Sequence, residues 1–139
     1  MENQKVLANI NSLKKKIKQN KDIEIIAISK RQPIERIISA LDSGHKIFGE
    51  NQVQETINKW PVLRKKYSDI KLHLVGPLQS NKVKDAISIF DVIQTVDREK
   101  IAKALKKEES NLKKKNFLYD TNQYRQRASK VRNYARRCR

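Results

Sequence analysis

Cysteine, glycine and histidine are all scarce in this chain of 139 residues, and each scarcity excludes a class of functional site. The single cysteine, Cys138, excludes a disulfide within the chain and a metal site built from cysteines. Only three glycines occur, so the chain has no glycine-rich loop of the kind that binds nucleotide phosphates. The two histidines, His45 and His73, are too few and too isolated for a metal cluster, and His45 is interpreted as a turn residue.

Long apolar runs are missing as well. None approaches the length of a membrane-spanning helix, and the amphipathic N-terminal segment lacks the apolar centre of a secretory signal. The length suits one ordinary domain and is too short for two. We therefore predict a cytoplasmic monomer without a membrane partner.

Positive charge, in contrast, is abundant, and it is concentrated at one end of the chain. The net charge is +17. Residues 1–110 contain 22 Lys and Arg against 14 Asp and Glu, a net of +8, whereas residues 111–139 contain 10 against 1, a net of +9. The alternative function is therefore non-specific nucleic-acid binding through this basic tail. Its candidate residues are Arg125, Arg127, Lys130, Arg132, Arg136, Arg137 and Arg139, interleaved with Tyr119, Tyr124 and Tyr134.

Apolar periodicity predicts helices and strands that alternate along residues 3–110. The predicted strands are 23–29, 45–49, 70–75 and 90–96. The predicted helices are 3–19, one from Pro33 to Gly44, one marked by Val53, Ile57, Trp60 and Leu63, 81–89, and one that is capped by Asp97. Such alternation favours an α/β fold with parallel strands and helices on the outer face.

Polar residues follow the predicted strands at their carboxyl ends. Lys30 ends the first strand, Glu50 and Asn51 follow the second, residues 73–76 end the third, and Asp97 follows the fourth. Since the carboxyl ends of parallel strands meet at one edge of a sheet, this pattern predicts a small-molecule site there. Ser29 and Lys30 do not form a nucleophilic pair, because neighbouring strand residues point to opposite faces.

Four sequence blocks together resemble one known family. They are Ile-Ala-Ile-Ser-Lys (26–30), Phe-Gly-Glu-Asn (48–51), His-Leu-Val-Gly-Pro-Leu-Gln-Ser-Asn-Lys (73–82) and Ile-Gln-Thr-Val-Asp (93–97). In this order and at this spacing they are similar to the pyridoxal phosphate homeostasis protein family. The resemblance covers residues 3–110 and implies the N-terminal half of an alanine-racemase-like (β/α)8 TIM-type barrel.

The same resemblance implies a cofactor and its site. Lys30 would carry pyridoxal 5'-phosphate as an internal aldimine, and partial burial at the strand end would favour the neutral amine that this bond requires. Asn51 and His73 would lie near the cofactor ring. The loop after the third strand would be shaped by Gln79, Ser80 and Asn81, with helix capping by Ser80 or Asn81 as the alternative.

The family resemblance implies a carrier or buffer of pyridoxal phosphate and not an enzyme. The partners it implies are pyridoxal phosphate and the apoenzymes that depend on it. A racemase would need acid and base residues from later strands than those found in this chain.

The end of the chain departs from the family pattern after about residue 115. We predict a partial barrel domain at 1–115 and a basic tail at 116–139, which is translated out of frame and lies outside the fold. Codons permitted for the tail, read one nucleotide later, encode the Gln-x-Asn and Lys-Ser-Gly typical of the family's next segment. The lysines at 113–115 imply an adenine-rich stretch. Open sheet edges and missing phosphate loops would then leave a poorly folded product that binds the cofactor weakly.

Overall fold

The computed structural model of the protein describes residues 2–18 and 22–120. Within these ranges, helices and strands alternate as predicted. The helices are α1 (Glu2–Ile17), α2 (Ile34–Asp42), α3 (Val53–Lys66), α4 (Val83–Ile89) and α5 (Glu99–Leu112), with a short 3-10 helix (Ser80–Lys82) before α4. The strands are β1 (Ala27–Ile28), β2 (Ile47–Glu50), β3 (Lys71–Leu74), β4 (Val92–Val96) and β5 (Phe117–Asp120).

The five strands form one parallel sheet whose spatial order is the order of the sequence, β1-β2-β3-β4-β5. A helix connects each strand to the next, which is the arrangement of the N-terminal half of a (β/α)8 barrel. The predicted α/β fold with parallel strands is therefore confirmed. The first strand is shorter than expected, because only Ala27 and Ile28 of residues 23–29 are paired as strand.

Alternate residues of the strands point to two different faces of this sheet. Ala27 is in register with Phe48 and Phe48 with Leu72, and these side chains pack in the core with the helices. We call this side the helix face. The adjacent row, in which Ile28 is in register with Gly49 and Gly49 with His73, points to the opposite face. Ile28 is 48% exposed there.

The core lies between the helix face and the helices. Its largest fully buried side chains include Trp60 of α3, Phe48 of β2 and Phe90, which precedes β4. The rings of Phe48 and Trp60 have centroids 5.0 Å apart. Apolar spacing along each helix places its buried residues on one side, as with Ile37 and Leu41 of α2.

His45 follows the turn that ends α2, and its side chain packs against the core. It is buried, its Nε2 lies 2.8 Å from the Ile47 carbonyl oxygen, and its ring meets Phe48 edge to face. Burial is the main cause that lowers its pKa, with a smaller contribution from the charge of Lys14, against the opposing effect of the Ile47 hydrogen bond. The interpretation of His45 as a turn residue fits its backbone, because its N–H donates to Ala40 O at 3.1 Å and closes the turn after α2; the burial of the ring was not predicted.

Two predicted helix boundaries have different outcomes. Gly44 ends α2 as expected: its φ of +84° is a left-handed conformation that suits glycine, and its N–H donates to Leu41 O at 2.9 Å. Asp97, however, does not cap α5. The N-cap is Arg98, which is extended and whose carbonyl accepts from the N–H groups of Ile101 and Ala102. The helix therefore begins one residue later than predicted.

The sheet extends beyond the boundary predicted at residue 115. Residues Phe117–Asp120 form β5 in parallel with β4, so they belong to the sheet although the sequence assigned them to the tail. Tyr119, a candidate of the basic tail, lies on this strand. The arginine-rich segment 121–139, with Cys138 and the other nucleic-acid candidates, lies outside the described residues. In the described part of the chain, no helix combines the length and apolar character needed to span a membrane.

Candidate functional site

Lys30 occupies a tight turn at the carboxyl end of β1. The N–H of Ser29 donates to Gly49 O at 2.9 Å, which extends the pairing of β1 with β2 by one residue. Gln32 N–H then donates to Ser29 O at 3.1 Å and closes a turn in which Arg31 has a φ of +55°. The expected partial burial of Lys30 is not observed, because this lysine is exposed. Its side chain is thus accessible, while the backbone on both sides is held by hydrogen bonds.

Asn51 follows the neighbouring strand at the same edge of the sheet. Lys30 and Asn51 each lie two residues beyond the paired Ile28 and Gly49. The pairing of β2 with β3 also continues past the strands, since Val75 N–H donates to Glu50 O at 2.9 Å. The structure therefore brings the ends of β1, β2 and β3 together, as the sequence predicted.

Gly76 allows the loop after β3 to approach Asn51 closely. A Cβ atom at position 76 would collide with the carbonyl oxygen of Asn51 and lie 2.6 Å from its Oδ1. The backbone of residue 51 leaves no room for a side chain here, so glycine is required by close approach. This contact fixes Asn51 between the end of β2 and the loop that begins at Gly76.

His73 lies on the opposite face of the sheet, beside Gly49, and is 4% exposed. Its Nδ1 accepts a hydrogen bond from the Gln94 amide at 3.1 Å, which places the ring proton on Nε2. Burial is the main cause that lowers the pKa of His73, followed by the charge of Lys71, while Glu24 and Asp91 act in the opposite direction. The ring is therefore a neutral donor, and its buried Nε2 has no hydrogen-bond partner among the described residues.

The loop after β3 separates the three remaining candidates. Gln79, Ser80 and Asn81 are all exposed, but of these three only Gln79 lines a cleft of about 260 Å³ together with Asn51, Pro77 and Lys82. Neither Ser80 nor Asn81 caps a helix, because the N-cap residues of the 3-10 helix and of α4 are Gln79 and Lys82 and neither cap has a side-chain hydrogen bond. The structure thus brings Gln79, but neither Ser80 nor Asn81, to the cleft that Asn51 lines.

A polar cluster on the helix face supports the Lys30 turn, and the sequence reasoning missed it. Glu50 is fully buried, and its Oε1 accepts from Ser29 Oγ at 2.7 Å, Trp60 Nε1 at 2.9 Å and Lys59 Nζ at 3.0 Å. Lys59 also donates to Ser29 O at 3.0 Å and to Glu55 Oε1 at 2.9 Å. We call these five residues the Glu50 cluster. The spacing of Glu55 and Lys59, four residues apart on one helix, was the available signal.

Glu55 extends this cluster to the other side of Lys30. Its Oε1 accepts from the Arg31 backbone N–H at 2.7 Å. Partial burial is the largest single influence on the Glu55 pKa and acts to raise it, but the hydrogen bonds and charges of Lys59 and Arg31 together outweigh burial and lower the pKa. Glu55 is thus held as a carboxylate that faces the strained turn.

The sequence of most of the chain matches the model of one protein family. The model for the alanine racemase N-terminal domain matches residues 2–118. The chain belongs to this family. The match includes β1 to β4 and the start of β5, and it therefore contains the whole candidate site.

Its relatives in sequence are pyridoxal phosphate homeostasis proteins, which confirms the family recognised from the four blocks. The protein of that name from Buchnera aphidicola subsp. Schizaphis graminum is 50% identical over 107 residues, which are 71% of this chain and 46% of that protein. The Pasteurella multocida protein is 41% identical over 92 residues, 66% of this chain and 40% of the relative. The chain thus matches less than half of the length of these two relatives.

A solved structure confirms the fold. PipY of Synechococcus elongatus, a structure with pyridoxal phosphate bound, superposes with a TM-score of 0.76 at 34% sequence identity. The similarity covers 81% of this chain and 52% of PipY.

Proposed function

We propose that this chain binds pyridoxal phosphate at the carboxyl ends of β1 to β3, with Lys30 as the residue that holds it. The observation that carries the proposal is the exposed Lys30, fixed in a turn beside Asn51, in a chain that is 34% identical to a protein solved with pyridoxal phosphate bound. The cofactor supplies an aldehyde, which condenses reversibly with a primary amine and releases water. Lys30 supplies the amine.

The residues around Lys30 fit such a group. Pyridoxal phosphate offers ring and hydroxyl positions that accept or donate hydrogen bonds. His73 has a buried Nε2–H without a partner among the described residues, and an unsatisfied buried donor indicates a missing acceptor. Asn51 adds an amide at the end of the adjacent strand. We propose that Asn51 and His73 contact the bound cofactor, and that Gln79 borders it from the loop.

The role we propose is that of a carrier and not of a catalyst. A reversible bond to one lysine holds the aldehyde and returns it unchanged, so the site can store pyridoxal phosphate and release it to apoenzymes that depend on it. The names of the relatives, which describe homeostasis, support this role. We propose that the protein acts as a monomer in the cytoplasm, where it would meet these apoenzymes.

The experiment that tests the proposal is covalent trapping. The protein is incubated with pyridoxal phosphate and reduced with borohydride, which makes any bond to lysine permanent, and the labelled peptides are identified by mass spectrometry. We expect the label on Lys30 and its loss in Lys30→Ala. Lys115→Ala is the matched control, because Lys115 is also exposed but lies just before a strand. Equal labelling of all exposed lysines would overturn the proposal.

A further inference from the structure

The backbone on both sides of Lys30 is held by one turn of α3. Lys59 Nζ donates to the carbonyl oxygen of Ser29, the residue before Lys30, at 3.0 Å. Glu55 Oε1 accepts from the N–H of Arg31, the residue after it, at 2.7 Å. The two side chains are joined at 2.9 Å as an i,i+4 pair, so a single ion pair spans the turn.

This turn needs external support. Arg31 has a φ of +55°, a left-handed conformation that is unfavourable for a residue with a Cβ atom. Such strain persists only where the surroundings hold it in place. The hydrogen bond to Glu55 supplies that restraint, because it fixes the direction of the Arg31 N–H.

The Glu55–Lys59 ion pair is connected to the buried core through Glu50. Lys59 is 11% exposed at its side chain and bonds to Glu50, whose side chain is fully buried. Glu50 is in turn fixed by Ser29 Oγ and by Trp60 Nε1. Movement of the turn would therefore disturb a buried network, which makes the position of Lys30 rigid.

We propose that Glu55 and Lys59 are positioning residues for Lys30: they lock the turn so that its amine meets an aldehyde in one orientation. The inference rests on the proposed function for its ligand. It predicts that loss of the Glu55 acceptor loosens the turn and weakens the selective reaction of Lys30. A purely structural ion pair would affect stability but not the choice of lysine.

The variants separate the acceptor from the charge. Glu55→Gln removes the negative charge but keeps an oxygen that can accept from Arg31 N–H. Glu55→Ala removes both the charge and the acceptor oxygen. Glu35→Ala is the matched control, because Glu35 is the first-turn carboxylate of α2 as Glu55 is of α3. Two readouts are compared in folded protein: hydrogen exchange of the Arg31 amide without pyridoxal phosphate, and the share of borohydride-trapped label on Lys30.

We expect Glu55→Ala to speed Arg31 exchange and to lower the Lys30 share of the label by about five-fold, the size of one net hydrogen bond. Glu55→Gln and Glu35→Ala should stay within about two-fold of the unsubstituted protein. Unchanged exchange and labelling in Glu55→Ala would overturn the positioning role. Absence of Lys30 labelling in the unsubstituted protein would instead overturn the proposed function, while Arg31 exchange would still decide the positioning role.

A second pair of variants applies if Glu55→Ala does not fold. Lys59→Met removes the donor to Ser29 O, and Lys59→Arg keeps a cation at the same place. We expect the Lys30 share of the label to fall in Lys59→Met and to recover in Lys59→Arg. Labelling in Lys59→Met equal to that of the unsubstituted protein would overturn the proposal.

Discussion

Neighbouring residues at the strand ends lie on opposite faces of the sheet and differ in burial. Ser29 and Glu50 point to the helix face, where Ser29 Oγ donates to the buried carboxylate. The next residue at each strand end, Lys30 or Asn51, points to the opposite face, and Lys30 is exposed. One strand end thus supplies both an exposed lysine and the buried serine that supports its turn. Adjacent positions can therefore be given separate tasks, with the buried residue contributing to stability and the exposed one left accessible to solvent.

Each face of the sheet holds a buried polar atom without a hydrogen-bond partner among the described residues. On the helix face, Glu50 Oε1 accepts three hydrogen bonds from the cluster around it, whereas Glu50 Oε2 accepts none from the described residues. On the opposite face, Nε2 of the buried His73 has no partner in the part of the chain that the structure describes. The two open atoms differ in chemistry, because Glu50 Oε2 is an acceptor whereas His73 Nε2 carries a proton and is a donor.

The largest effect should come from breaking the buried network. Glu50→Ala removes the buried acceptor of Ser29 Oγ, Lys59 Nζ and Trp60 Nε1, and we expect a loss of about 3–5 kcal/mol in the free energy of unfolding, because buried donors lose their partner and one of the two carboxylates that balance Lys59 is gone. Denaturant unfolding measures it. Glu99→Ala is the matched control, because Glu99 also pairs with a lysine, Lys103, but both side chains are more than three quarters exposed. That change should cost less than about 0.5 kcal/mol, and similar losses in both variants would contradict the comparison.

A smaller effect is expected where the strand ends meet. Gly76→Ala places a Cβ against the Asn51 carbonyl, and because backbone atoms cannot rotate away, we expect a loss of about 1–3 kcal/mol in unfolding free energy together with weaker Lys30 labelling. Gly49→Ala provides the comparison. Its Cβ would lie 2.6 Å from Ile28 Cδ1, the end of a flexible side chain that can move. A greater loss in Gly49→Ala than in Gly76→Ala would show that side-chain crowding, and not the backbone approach, limits this site.

The alternation of helices and strands was predictable because it depends on local periodicity. Apolar residues such as Val53, Trp60 and Leu63 repeat at helical spacing, and all three are buried in α3. The family was predictable as well, since the order and spacing of the four blocks identify it without any contact being known. The role of Lys30, which was chosen from one of these blocks, stays a prediction. These signals are local or depend on spacing alone.

The Glu50 cluster was not predictable because it depends on contacts between distant residues. Lys59 and Ser29 are 30 positions apart, and their bond exists only after α3 has packed against the sheet. The exposure of Lys30 and the burial of the His45 ring also depend on how distant parts of the chain pack together, so they were not predictable either. The prediction that residues from about 116 onward are read out of frame depends on DNA, and sequencing downstream of the Asn116 codon tests it.

The smallest effect is the dependence of stability on pH through the two buried histidines, one near each face. The folded protein lowers the pKa of His45 and of His73 below 6.5, mainly by burial. As pH falls through 6.5, the unfolded chain takes up protons before the folded one, so the free energy of unfolding must decrease until the folded pKa is passed. Stability is therefore fully present above this window.

Urea unfolding between about pH 7 and pH 5 measures this slope. His45→Phe keeps a ring against Phe48 and removes one titrating group, and His73→Gln removes the other. Each variant should show a shallower slope, and the double variant a nearly flat one. Slopes in both single variants equal to that of the unsubstituted protein would contradict the assignment of this pH dependence to the two histidines.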